Sequence, residues 1–153
     1  MLSDDMTRSN PMNAFEILLV EDNDGDVQLM REILAESTLS YNLSVVSDGV
    51  QAIAFLQHLD GYSTAPHPDL ILLDLNLPLK NGVEVLDEIK KDARLQSIPI
   101  LLLSTLDEKE LFNVENLLAD GFVIKPSGLS EFHLVTDAIQ KLGFHTSSGQ
   151  VLL

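Results

Sequence analysis

Residues 69–82 are Asp-Leu-Ile-Leu-Leu-Asp-Leu-Asn-Leu-Pro-Leu-Lys-Asn-Gly, an apolar run followed at once by a turn. The apolar first half is of strand length. The run closes on Asp74, and Pro78 with Asn81-Gly82 marks a turn immediately afterwards. Asp74 therefore stands at the carboxyl end of a buried strand. In an open α/β sheet, that is the edge at which ligands bind, so Asp74 is the first candidate functional residue.

The same pattern recurs nearer the N-terminus. The apolar run 17–20 passes straight into Glu21-Asp22, and a helix is expected from Asp26 to about Glu36, with Val27, Met30, Ile33 and Leu34 at helical spacing. Asp24 and Asp26 lie where a helix start accepts capping side chains. A strand over 43–46 precedes a helix from Gly49 to about Leu59, with Asp48 as its cap. Residues 60–68, with Gly61, Ser63, Pro66 and Pro68, read as a loop. Beyond the Asp74 turn come a helix over about 83–92, a strand over 100–103 stopping at Ser104-Thr105, and a less regular helical stretch over 107–118. The last strand, 121–124, ends at Lys125-Pro126. The final helix, about 129–142, has Ser127 as a candidate cap.

Five short apolar strands alternating with five helical stretches predict one doubly wound α/β domain with a parallel sheet covered on both faces. Right-handed crossovers then bring every strand's carboxyl end to one edge. Glu21/Asp22, Asp74, Ser104 and Lys125 should share one crevice. Residues 1–13 are expected to be a flexible lead-in, 14–142 the domain and 143–153 a tail.

Composition narrows the possible functions. Nine Lys+Arg against 24 Asp+Glu give a net charge of -15, a surface that repels phosphate backbones and argues against nucleic-acid binding. The absence of cysteine excludes disulfides and thiol catalysis. No apolar run approaches the roughly 20 residues of a membrane span, and residues 1–13 lack the apolar core of a secretory signal. A cytoplasmic protein without membrane contact is expected. His58, His67, His133 and His145 show no metal-ligand spacing.

Three carboxylates in one cleft repel one another, and burying them unpaired is costly. A hard divalent cation resolves this, and an oxygen-only donor set favours Mg²⁺ over zinc or copper. If Glu21, Asp22 and one oxygen of Asp74 hold the cation, the other Asp74 oxygen is free to attack phosphorus. Lys125 supplies a point charge and Ser104 a hydrogen bond to the phosphoryl oxygens, which is the chemistry of phosphoryl transfer.

These residues, Glu21-Asp22, Asp74 within Leu-Asp-Leu-Asn-Leu-Pro, Ser104, and Phe122-Val123-Ile124-Lys125-Pro126, resemble the receiver domain of two-component response regulators. The resemblance runs from about residue 14 to 142. Val-Glu-Asp-Asn-Asp-Gly-Asp-Val at 20–27 and the long loop through Ala65-Pro66-His67-Pro68 narrow it to single-domain regulators paired with bacterial and cyanobacterial phytochromes. The resemblance implies a flavodoxin-like sheet of strand order 2-1-3-4-5. It also implies phosphoryl acceptance on Asp74 from a sensor histidine kinase of the phytochrome type, and Mg²⁺ bound by Glu21, Asp22, Asp74 and the Asn76 backbone carbonyl. Ser104 and Phe122 match the family's switch pair, with Ser where Thr is commoner and Phe where Tyr is frequent.

Because the receiver pattern fills the chain, output is expected to be a change of partner. Leu129, Phe132, Val135 and Ile139 on the last helix suggest a homodimer face. Two alternatives stand beside this reading. A phosphatase-like enzyme would need an acid two residues beyond the nucleophile, where this chain has Asn76. A pseudo-receiver that binds without phosphorylation is disfavoured by the intact site set.

Overall fold

A computed structural model describes residues 14–111 and 113–144. The expected lead-in 1–13, His145 and the rest of the tail to 153 lie outside the described residues.

The elements follow in strict alternation: β1 (Phe15–Val20), α1 (Asp24–Glu36), β2 (Tyr41–Val46), α2 (Gly49–Gln57), β3 (Leu70–Asp74), α3 (Gly82–Lys91), β4 (Ile100–Ser104), α4 (Leu106–Leu111), β5 (Gly121–Ile124) and α5 (Phe132–Lys141). The five strands form one parallel sheet in the order β2-β1-β3-β4-β5, as expected. The chain is thus a doubly wound α/β protein with the flavodoxin-like arrangement.

Alternate residues of each strand face opposite sides of the sheet, and each side has its own core. Leu18, Val20, Ile71, Leu73, Ile100 and Leu102 pack with Phe55 and Leu56 of α2 and Val85, Leu86 and Ile89 of α3. Ile17, Leu19, Leu70, Leu72, Leu101, Leu103 and Val123 pack with Ile33 and Leu34 of α1 and Val135 and Ile139 of α5. β3 and β4 are buried along their whole length, which is why their sequences read as unbroken apolar runs. The second core takes in Phe144, whose ring meets Phe15 edge-on at 4.8 Å, so packing continues two residues past Leu142.

Element boundaries differ from the sequence reading where local chemistry intervenes. Asn23, rather than Asp24 or Asp26, caps α1, its side chain accepting from the Asp26 amide at 2.9 Å. Helix α2 stops at Gln57 because His58 turns left-handed, with its ring against the Ala65 carbonyl at 3.0 Å. The stretch expected to be helical over 107–118 is α4 plus a separate 3₁₀ turn, Val114–Asn116, broken at Asn113 with φ of 53°; Asn tolerates that conformation better than most residues. Phe112, counted in that stretch, lies outside the described residues. A 3₁₀ turn, Leu129–Glu131, precedes α5, and Ser127 is not its cap. Instead the Ser127 amide donates to Glu131 Oε1 at 2.8 Å.

Two glycines hold the segment after β3 in place. A Cβ on Gly49 would collide with the Lys80 carbonyl, and one on Gly82 with the backbone of Asp74 and Leu75. Asn81 caps α3 reciprocally with Glu84, at 2.9 Å in both directions. The turn carrying Asn76 to Lys80 is therefore fixed from both flanking helices.

Candidate functional site

The parallel sheet brings the ends of β1, β3, β4 and β5 to one edge, where the Glu21, Asp22, Asp74 and Lys125 side chains meet. Glu21 and Asp74 are almost fully buried. Asp22 is exposed at the rim, yet one oxygen from each of Glu21, Asp22 and Asp74 lies within 4.8 Å of the others. The Lys125 ammonium reaches in from the loop after β5, 3.1 Å from Asp74 Oδ1 and 3.3 Å from Glu21 Oε1. Its backbone is hooked to the neighbouring strand by Lys125 N–H donating to the Ser104 carbonyl at 2.8 Å. Asn76 sits in the turn after β3, and its amide donates to Asp74 Oδ1 at 3.2 Å.

Ser104 closes β4 with zero exposure, and its Oγ has no hydrogen-bond partner among the described residues. A buried hydroxyl without a partner costs about 1–3 kcal/mol. The adjacent Thr105 has a different task. Its hydroxyl accepts from Glu108 N–H at 3.1 Å, and Glu108 Oε1 accepts from the Thr105 amide at 3.0 Å, which closes a capping box on α4. Phe122 lies on the edge strand, 37% exposed, with the Lys109 ammonium 5.2 Å from its ring centroid.

Asp26, read from the sequence as a capping candidate, also belongs to the cleft: its Oδ2 is 3.3 Å from the Lys125 ammonium. Nothing local distinguishes it from Asp24.

The electrostatics follow from burial. Desolvation, reinforced by the charge of Asp74, pushes the Glu21 carboxyl up to about 8. Burial also raises Asp74, against the opposing pull of Lys125. Burial alone would lower the Lys125 ammonium, but Asp74 and Glu21 together outweigh it and hold it firmly charged. One ammonium thus faces more carboxylate charge than it can neutralise. Three carboxylates and no nitrogen or sulfur donor form the set a hard divalent cation takes, so Glu21, Asp22 and Asp74 fit the metal that the cleft calls for.

A parallel 2-1-3-4-5 sheet with an acid pair after β1, a buried aspartate closing β3, a hydroxyl closing β4 and a lysine after β5 defines a receiver. The model of the response regulator receiver domain matches residues 17–137, and the chain belongs to that family. Response regulator Rcp1 of Synechocystis sp. is 39% identical over 139 residues, covering 90% of this chain and 93% of the relative. Among solved structures, the phosphorylated cyanobacterial phytochrome response regulator RcpA is 42% identical with a TM-score of 0.73, over 84% of this chain and 93% of that one. The Mn²⁺-bound form of Rcp1 is 38% identical with a TM-score of 0.73, over 86% and 96%. The chain is a response regulator receiver related to the phytochrome response regulators.

The raised Glu21 value sets a pH dependence. Between the ordinary glutamate range and about 8, the unfolded chain has lost a proton that the folded, cation-free protein retains. Folding stability should therefore fall as pH rises through that window. A bound divalent cation favours the ionised form and removes the trend. Melting curves from pH 5 to 8 should show a declining Tm without divalent cations and a Mg²⁺-induced gain that grows with pH, reaching about 2.7 kcal/mol at a hundredfold excess over Kd. A flat profile with no Mg²⁺ shift would contradict the site.

Proposed function

We propose that Asp74 accepts a phosphoryl group from a phosphohistidine on a sensor histidine kinase of the phytochrome type, and that the modified protein signals by changing its partners. The observation that carries this reading is the Lys125 ammonium 3.1 Å from Asp74 Oδ1 beside the Glu21 and Asp22 carboxylates. An Asp74 oxygen attacks phosphorus, the P–N bond breaks with its electron pair leaving on the imidazole, and an acyl phosphate forms on Asp74. Glu21, Asp22, Asp74 and the Asn76 carbonyl would hold Mg²⁺, which when bound offsets charge on the phosphoryl oxygens. Lys125 supplies a fixed positive charge to those oxygens. The Ser104 hydroxyl, spare in the resting cleft, turns to donate to one of them, and Phe122 follows into the space behind it.

The test is incubation with acetyl phosphate and Mg²⁺, with the modified residue located by mass spectrometry. Stoichiometric labelling at Asp74 supports the reading. No labelling would favour a binding-only pseudo-receiver, and rapid multiple turnover of the donor a phosphatase-like enzyme.

Ser104→Ala should separate the two states of the hydroxyl. Removing a buried group without a partner is expected to leave the resting protein as stable or up to about 1 kcal/mol more stable, while labelling slows. Urea denaturation and initial labelling rates read the two effects, and a large loss of resting stability would contradict the assignment.

We also propose that residues 14–142 act as the receiver and pair as a homodimer through α5. Of the four residues expected on that face, Val135 and Ile139 are instead fully buried against the sheet, so what remains outward is Leu129, in the 3₁₀ turn before α5, and Phe132, each about 40% exposed; a groove of about 320 Å³ runs along β5 and α5 past Phe122, Leu134 and Leu142. Sedimentation at micromolar protein should show a dimer, with or without phosphorylation; monomer alone under both conditions would remove the proposal. A cytoplasmic location and the lack of nucleic-acid partners accord with the charge of -15. Among the described residues, no helix is long and apolar enough to cross a membrane.

A further inference from the structure

The Lys125 ammonium has three hydrogens, and three carboxylates surround it: Asp74 Oδ1 at 3.1 Å, Glu21 Oε1 at 3.3 Å and Asp26 Oδ2 at 3.3 Å. These partners differ in kind. Glu21 and Asp74 belong to the cluster that fits a divalent cation, and Asp74 is also the proposed acceptor. Any cation they bind, and any phosphoryl group added to Asp74, draws their oxygens away from the lysine. Asp26 is outside that cluster, on α1, a helix whose N-terminus is pinned by the Asn23 cap on the Asp26 amide itself.

The narrow pocket beside Glu21, Asp26 and Lys125 is otherwise lined by Leu29, Met30, Ile33, Leu103 and Pro126, all apolar side chains. A lysine side chain has several freely rotating bonds and reaches solvent readily when untethered. At 18% side-chain exposure, Lys125 is held in.

We propose that Asp26 is a positioning residue, which keeps the Lys125 ammonium over the cleft when Glu21 and Asp74 turn to the cation and the phosphoryl group. The inference rests on Asp74 being the phosphoacceptor. Asp26 touches neither the cation cluster nor the reacting atoms and acts through Lys125 alone. Its carboxylate is 42% exposed, and ion pairs of that exposure contribute little to stability, so replacing it leaves a folded protein.

The test is a double-mutant comparison on the full chain, with acetyl phosphate as donor at saturating Mg²⁺ and saturating donor. Asp26→Asn is expected to slow labelling about tenfold, within the range by which displaced catalytic groups lower rates, and Asp26→Glu to restore most of it. In a Lys125→Gln background, the same Asp26→Asn change should have less than a twofold effect. A second readout is independent of turnover: with Mg²⁺ bound, the Lys125 ammonium should give a slowly exchanging ¹H–¹⁵N NMR signal that disappears in Asp26→Asn. An equal rate loss in both backgrounds, or an ammonium signal that persists without Asp26, would overturn the proposal. If the unsubstituted chain takes no label, the phosphoacceptor reading fails, and the ammonium signal alone then decides whether the tether exists.

Discussion

Asp74→Asn is expected to abolish Mg²⁺-dependent labelling by acetyl phosphate while leaving a folded protein. Asparagine keeps the shape of the side chain and its carbonyl acceptor, but its amide nitrogen is no nucleophile toward phosphorus. The fold should tolerate the change well, because burial already makes a charge at this position unfavourable and raises the Asp74 carboxyl. A neutral group avoids that desolvation cost, against the loss of the 3.1 Å contact to Lys125. Melting curves without divalent cations should therefore show the variant close to the parent in Tm, with a weakened response to Mg²⁺ because one of three clustered carboxylates is gone. Labelling of Asp74→Asn at the parent rate would place the acceptor elsewhere and undo the functional reading.

Lys125→Gln should be the next largest effect, a fall of about 10²–10³ in the labelling rate, the cost of removing one preorganised charge stabiliser from a reaction centre. The cation site should survive, since Glu21, Asp22 and Asp74 remain. Loss of the competing ammonium leaves three acids with more uncompensated charge, so Mg²⁺ should bind at least as tightly as in the parent. Isothermal titration with Mg²⁺ beside initial labelling rates distinguishes this outcome from simple unfolding. A rate within twofold of the parent would show that Lys125 is a bystander.

Much of this site was legible in the sequence because a parallel sheet converts linear order into spatial convergence. Each of β1, β3, β4 and β5 ends where its apolar run ends, and the next polar residue inherits a place on the common edge. Glu21, Asp74, Ser104 and Lys125 needed only that rule. The long runs in β3 and β4 were legible for the same reason, since burial on both faces forbids polar interruption. Helix ends were less so. The break at Asn113 depends on one residue adopting a left-handed backbone, and the stop at His58 on a ring reaching a carbonyl seven positions away. Asp26 escaped because its partner lies 99 residues downstream, a relation no local pattern encodes. The Ser104 hydroxyl's lack of a partner is likewise a property of packing alone, whereas the Thr105 and Glu108 pair could have been read as a capping box.

The two glycine approaches around the segment following β3 have a mechanical corollary. With Gly49 seated on the Lys80 carbonyl and Gly82 on the backbone of Asp74 and Leu75, that flank of the cleft is rigid masonry: no methyl-sized slack remains to absorb new bulk. Under the proposed switch, bulk added at Asp74 would find its room on the opposite side, where Ser104 closes β4 and the Phe122 ring is 37% exposed. In that reading, two missing side chains set the direction in which Ser104 and Phe122 are left to move.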